Sequence, residues 1–151
     1  MAMLVHDAVV VERVFNVPVD RVFEAWRNSA ALQEWCSPGD NGWTGSVEAH
    51  DFSVGGEKRL TFGPEGDTPY CEEARYMAIE PDIHIVNSER ISQGDRLISA
   101  SMISLEFEPA EGGCKLTVTD QITLFDPSET SEQRREGWGE VLDKLGAYLA
   151  N

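Results

Sequence analysis

Basic residues are scarce in this chain. Its 12 Lys and Arg stand against 27 Asp and Glu over 151 residues, a net charge of -15. Such a surface repels phosphate backbones and anionic headgroups, so nucleic acid and membrane surfaces are excluded as expected partners. Cysteine is sparse as well. Cys36, Cys71 and Cys114 are odd in number and far apart, which suits reduced thiols in a cytoplasm and not a disulfide framework. No apolar run is long enough to span a bilayer, and no signal-peptide or lipidation pattern is present. His6, His50 and His84 lie at no metal-ligand spacing with Cys or carboxylate, so neither a metal nor another cofactor is expected. Gly-x-Ser-x-Gly is missing and no His neighbours a Cys in sequence, so no catalytic residue is assigned from a motif.

What remains is an ordinary globular composition, 41% hydrophobic and 26% charged, read as one domain over 1–151. The stretch from Pro127 to Asn151 dominates it. Asp126-Pro127-Ser128 reads as a helix opening, and no Pro follows. Trp138, Val141, Leu142, Leu145, Tyr148 and Leu149 then recur on one helical face. The first two turns, with Glu129, Glu132, Arg134, Arg135 and Glu136, carry no apolar stripe. One end of this helix is built to bury and the other is not.

Ahead of it, Val9-Val10-Val11 through Val14-Phe15 reads as a strand ended by Asn16-Val17-Pro18. Val19, Val22, Phe23 and Trp26 sit at helical spacing; Asn28-Ser29 interrupts, and a second short helix carries Leu32 and Trp35. Pro38–Gly42 is a loop. From Ser46 to Phe125 only strands and turn signals occur, among them Val54-Gly55-Gly56, Glu80-Pro81-Asp82, Gln93-Gly94-Asp95 and Glu111-Gly112-Gly113. Gly55-Gly56 reads as a bulge or tight turn, not a phosphate loop, because no Lys or helix follows. The class is α+β: a curved antiparallel sheet around one long helix.

Turn lengths predict registers. A turn at Glu80-Pro81-Asp82 sets Ile79 opposite Ile83, Met77 opposite Ile85 and Arg75 opposite Asn87. Ser92 and Arg96 flanking the next turn set Asn87 opposite Ser101 and Ile85 opposite Ile103. Glu108 and Lys115 closing the last hairpin set Phe107, Leu105 and Ile103 opposite Leu116, Val118 and Asp120. Arg75, Asn87 and Ser101 then form a polar row on an apolar face, with Asp120 diagonal to it and Glu89 paired with Ser99 one step on. Buried charges cost several kcal/mol unless paired or wet. The row is therefore a structural Arg75–Asp120 ion pair, a sheet end that reaches solvent, or the polar floor of a ligand cavity.

Several stretches also resemble a known family. They are Val19–Trp26, Leu32–Trp35 with Pro38-Gly39, Asp51–Gly56 with Arg59, Tyr76–Ile79 with Pro81 and Ile85-Val86, and Gly137-Trp138 with Leu142, Leu145 and Leu149. In this order they are similar to the bacterial activator of heat-shock-protein-90 ATPase-like family, within the SRPBCC, START-like or Bet v 1-like helix-grip superfamily. Trp35-Cys36-Ser37-Pro38 stands where that family often has Trp-Trp-Gly-Pro. The resemblance implies a six- or seven-strand sheet gripping the C-terminal helix over a hydrophobic pocket. It implies less about activity, since relatives bind lipids, steroids or polyketides, cyclise polyketides, or assist a chaperone. The expected ligand is a small hydrophobic molecule, met by Trp35, Phe62, Arg75, Asn87, Ser101, Asp120, Trp138 and Leu142. Two alternatives stay open: a polyketide cyclase, aromatase or dehydratase using Asp120 as acid or base, and an interaction module whose acidic surface meets a protein partner. The chain is expected as a monomer or homodimer. Either small-molecule reading needs a cavity of some hundreds of Å³.

Overall fold

A computed structural model describes residues 4–36 and 42–151. The element order is β1 (Val5–Phe15), α1 (Val19–Arg27), α2 (Ser29–Cys36), β2 (Trp43–His50), β3 (Glu57–Pro64), β4 (Tyr70–Glu80), β5 (His84–Gln93), β6 (Arg96–Ala110), β7 (Gly113–Leu124) and α3 (Ser131–Leu149). The seven strands form one sheet in the order β1-β7-β6-β5-β4-β3-β2, antiparallel throughout. This is the helix-grip architecture the sequence predicts. Of the predicted loop Pro38–Gly42, only Gly42 lies within the described residues.

The two short helices carry the chain from one sheet edge to the other. α1 buries Val22, Phe23, Ala25 and Trp26, and stops where Asn28 turns extended and returns its N–H to Glu24 O. The Asn28 side chain then accepts from Ala31 N at 3.0 Å and starts α2. Trp26 and Trp35 meet edge to face at 4.7 Å, and Trp35 Nε1 donates to Ala25 O at 2.9 Å. The pair forms a rigid aromatic wedge at one end of the sheet's inner face.

Helix α3 begins later than Pro127. Asp126 instead folds the Pro127-Ser128 turn, accepting from Ser128 N at 2.8 Å and pairing with Arg96. Thr130 is the N-cap: its hydroxyl accepts from Gln133 N while Gln133 Oε1 accepts from Thr130 N, a capping box. Leu142, Leu145 and Leu149 are buried against the sheet, as the periodicity predicts.

Two hairpin registers need correction. The β4–β5 turn keeps three residues but lies one residue further along, with Glu80 opposite His84, Ile79 opposite Ile85 and Asp82 at φ 65. A bulge between Tyr76 and Ala78 then flips parity, so Tyr76, not Arg75, stands opposite Asn87 on the inner face. Between β5 and β6 the turn has two residues, Gly94 and Asp95, and a bulge follows. That pairing slips by two, which keeps parity: Asn87 faces Ile103 and Glu89 faces Ser101. The β6–β7 register holds, with Ile103 opposite Asp120.

The tight turn at Gly55-Gly56 carries a sharp steric demand. Gly55 sits at φ 87, and a Cβ on Gly56 would lie 2.1 Å from Asp51 O. Gly56→Ala must push backbone aside and is expected to cost about 1–3 kcal/mol in denaturant melts. A melt superimposable on the parent's would contradict this.

Candidate functional site

Arg134 and Trp138 stand four residues apart and so share one face of α3. Both reach down to the same carboxylate oxygen. Asp120 Oδ2 accepts from Arg134 Nη1 at 3.1 Å and from Trp138 Nε1 at 3.0 Å. Arg134 also donates to Ser99 Oγ at 2.5 Å and lies 3.4 Å from Glu89 Oε1. Asp120 is fully buried, and the side chains of Glu89 and Arg134 are 6% and 14% exposed. A second, half-buried pair adjoins them, Lys58 Nζ to Glu72 Oε2 at 3.2 Å. The polar half of α3 is therefore not solvent-facing throughout: it drops one guanidinium into the core.

Charge balance matters in such a place. Lys58 and Arg134 face Glu72, Glu89 and Asp120, so one carboxylate is in excess. Burial, and then Glu72, pushes the Glu89 carboxyl up to about 8 against the pull of Arg134 and Lys58. Protonated Glu89 leaves the cluster neutral. Burial alone would lower the Lys58 pKa, but Glu72 and its other neighbours outweigh it and raise it, so the ammonium stays charged.

A cavity of about 10 Å³ lies beside this cluster, under Trp138, lined by Trp26, Lys58, Tyr76, Ile85, Asn87, Glu89, Ile103, Leu105 and Trp138. That is room for roughly one water, not the some hundreds of Å³ expected from the sequence between sheet and helix. Trp26 is 6% exposed, and its Nε1 has no hydrogen-bond partner among the described residues. Tyr76 Oη lies 2.8 Å from His50 Nε2, and His50 Nδ1 lies 2.7 Å from Ser29 Oγ, a chain that reaches the surface. Burial pushes the Tyr76 hydroxyl up to about 12 and lowers the His50 pKa. It also pushes the Cys36 thiol up to about 12, which disfavours the thiolate.

The predicted site residues divide. Asn87 and Trp138 line the cavity. Ser101 lies opposite Glu89, 9% exposed, with its Oγ unpartnered among the described residues; Asp120 binds the α3 pair and leaves its own Oδ1 unpartnered. Leu142 and Trp35 are core residues, 0% and 3% exposed. Phe62 lies at the β2–β3–β4 end of the sheet, stacked between Trp43 at 6.5 Å and Tyr70 at 5.5 Å. Arg75 is the correction. It is exposed, carried to the outer face by the bulge, and donates to Gly55 O at 3.3 Å. There is no Arg75–Asp120 pair; Arg134 takes that place.

Sequence reasoning missed Arg134, Lys58, Glu72, Tyr76, His50 and Trp26 as site residues. Arg134 had a readable signal, its i−4 spacing from Trp138 above unmatched inner-face acids. A larger open cleft of about 620 Å³ lies elsewhere, between α1 and the β4–β5 turn, floored by Phe23, Phe52, Ile79 and Pro81. No helix among the described residues is long and apolar enough to cross a membrane.

The chain is similar to the Mll3558 protein from Rhizobium loti at 32% identity and a TM-score of 0.87, over 97% of this chain and 99% of that one. A protein from Rhizobium leguminosarum is 28% identical with a TM-score of 0.88, over 99% and 98% of the two chains. DynU16, from the dynemicin biosynthetic locus, shares the fold alone: 19% identity and a TM-score of 0.69, over 96% of this chain and 48% of that one. Curated proteins give no match. The model of the Activator of Hsp90 ATPase homolog 1-like proteins matches residues 16–150, and the chain belongs to that family.

Proposed function

We propose that the protein binds a small hydrophobic molecule between the sheet and α3, with the Trp138 turn of the helix as the roof. The observation that carries this reading is the charged, hydrogen-bonding cluster set into an otherwise apolar inner face under Trp138, with a buried indole N–H that has no partner among the described residues. At about 10 Å³ the cavity admits only the polar end of such a ligand, so binding requires the roof to lift. The helix is soft at that point. Gly137 and Gly139 flank Trp138, each costing about 1 kcal/mol relative to Ala in a helix. A Cβ on Gly137 would touch nothing within 4 Å, so packing does not require a glycine there.

Asp120 is held by Arg134 and Trp138 and does not line the cavity, so no observation favours it as an acid–base catalyst. The three cysteines are unbonded, in keeping with a reducing compartment, and we place the protein in the cytoplasm as a monomer or homodimer. Native mass spectrometry of the purified protein tests the reading: a co-purifying apolar mass supports it. Trp138→Ala is expected to cost about 2 kcal/mol, below the range for a fully buried Trp, and to change apolar-dye binding several-fold. Loss of stability without any change in dye binding would remove Trp138 from the pocket.

A further inference from the structure

Granted that binding reading, the groups around the cavity narrow its occupant. An indole N–H and an ammonium can only donate. Trp26 Nε1 is buried, unpartnered among the described residues, and on a residue that lines the cavity. Lys58 lines it too, its charge kept by Glu72. Tyr76 is the third, and the chain behind it decides whether it donates. With the neutral His50 ring protonated on Nε2, Ser29 donates to Nδ1 and Nε2 donates to Tyr76 Oη, which leaves the Tyr76 hydrogen free to point inward; the opposite tautomer spends that hydrogen on Nε2. The subsite requires the first tautomer. Asn87 spends an N–H on Ser88 O at 3.2 Å, and Glu89, protonated near neutral pH, brings one hydrogen more.

We propose that the cavity is an acceptor-oxygen subsite: it takes the neutral carbonyl of an otherwise apolar ligand in place of the single water it can hold, with Trp26, Tyr76 and Lys58 as donors. Ile85, Ile103, Leu105 and Trp138 line the same cavity, so the carbon next to that oxygen meets apolar side chains once the roof lifts. A carboxylate fits less well, because Glu72 and Asp120 already balance Lys58 and Arg134 while Glu89 is protonated, so a further anion would leave the cluster with an unpaired negative charge.

Three matched probes test this by calorimetric titration: 2-acetylnaphthalene, 2-ethylnaphthalene and 2-naphthoate. The ketone should bind about tenfold tighter than the hydrocarbon, the fold-change of one net hydrogen bond, and tighter than the carboxylate. Tyr76→Phe should weaken the ketone about tenfold and leave the hydrocarbon nearly unchanged. The bound ketone's C=O stretch in the unaltered protein should lie below its value in hexane, a readout that requires no variant to fold. Equal affinity for ketone and hydrocarbon, a hexane-like stretch, or tighter binding of the carboxylate would overturn the subsite and leave the pocket standing. If none of the three probes binds, the pocket reading falls and the subsite with it.

Discussion

Arg134→Met is expected to destabilise the fold by about 3–5 kcal/mol in equilibrium denaturation, because it strips Asp120 of its only cationic partner among the described residues, at a fully buried position. Attraction between buried charges barely offsets their desolvation, so most of the measured loss reflects the carboxylate left behind. The double variant Arg134→Met with Asp120→Leu should therefore recover most of it. Arg75→Met supplies the contrast. Arg75 is exposed on the outer face, and its loss should stay within about 0.5 kcal/mol. A costly Arg75→Met with a harmless Arg134→Met would restore the sequence-based register and discard the bulge at Met77.

The second large effect is on pH dependence. Burial raises the Glu89 carboxyl from 4.5 to about 8 in the folded chain. Between those values the native state holds one more proton than the unfolded state, so stability falls as pH rises, and the loss is complete above the folded pKa. His50 works in the opposite direction at lower pH, its pKa being depressed by burial, so the Glu89 slope shows most cleanly above about pH 6.5. Gln mimics the protonated carboxyl. Glu89→Gln should match the parent near pH 5–6 and exceed its stability at pH 9 by on the order of 3 kcal/mol. Parallel stability curves for the two proteins would mean that Glu89 is ionised throughout.

The parts of this molecule legible in its sequence are those governed by periodicity and short turns. The wedge of α1 and α2, the buried stripe of Leu142, Leu145 and Leu149, and the Ile103–Asp120 pairing all follow from spacing. A slip of two residues between β5 and β6 left Asn87, Glu89 and Ser101 on the inner face because side chains alternate with period two. One extra residue at Met77 was enough to invert Arg75, and bulges leave little trace in composition. Lys58 and Glu72 went unseen for another reason. They belong to the β3–β4 pairing, where Leu60 faces Glu72, and no turn prediction had fixed that register. Arg134 hid in a helical segment read as solvent-facing, although acids buried on the facing sheet require a cation from above.

The central claim, a ligand site under the Trp138 turn, is tested most directly by the side-chain indole N–H signals in a proton–nitrogen correlation spectrum as 2-ethylnaphthalene is titrated in. The chain has 4 Trp, so each signal can be assigned by single substitution. Trp26 and Trp138 line the interior cavity, Trp35 is tied to Ala25 O in the wedge, and Trp43 stacks on Phe62. The account predicts that Trp26 and Trp138 shift together while Trp35 and Trp43 stay in place. The outer cleft between α1 and the β4–β5 turn has no Trp in its lining. Binding that leaves the Trp26 and Trp138 signals unmoved would put the ligand elsewhere and contradict the account.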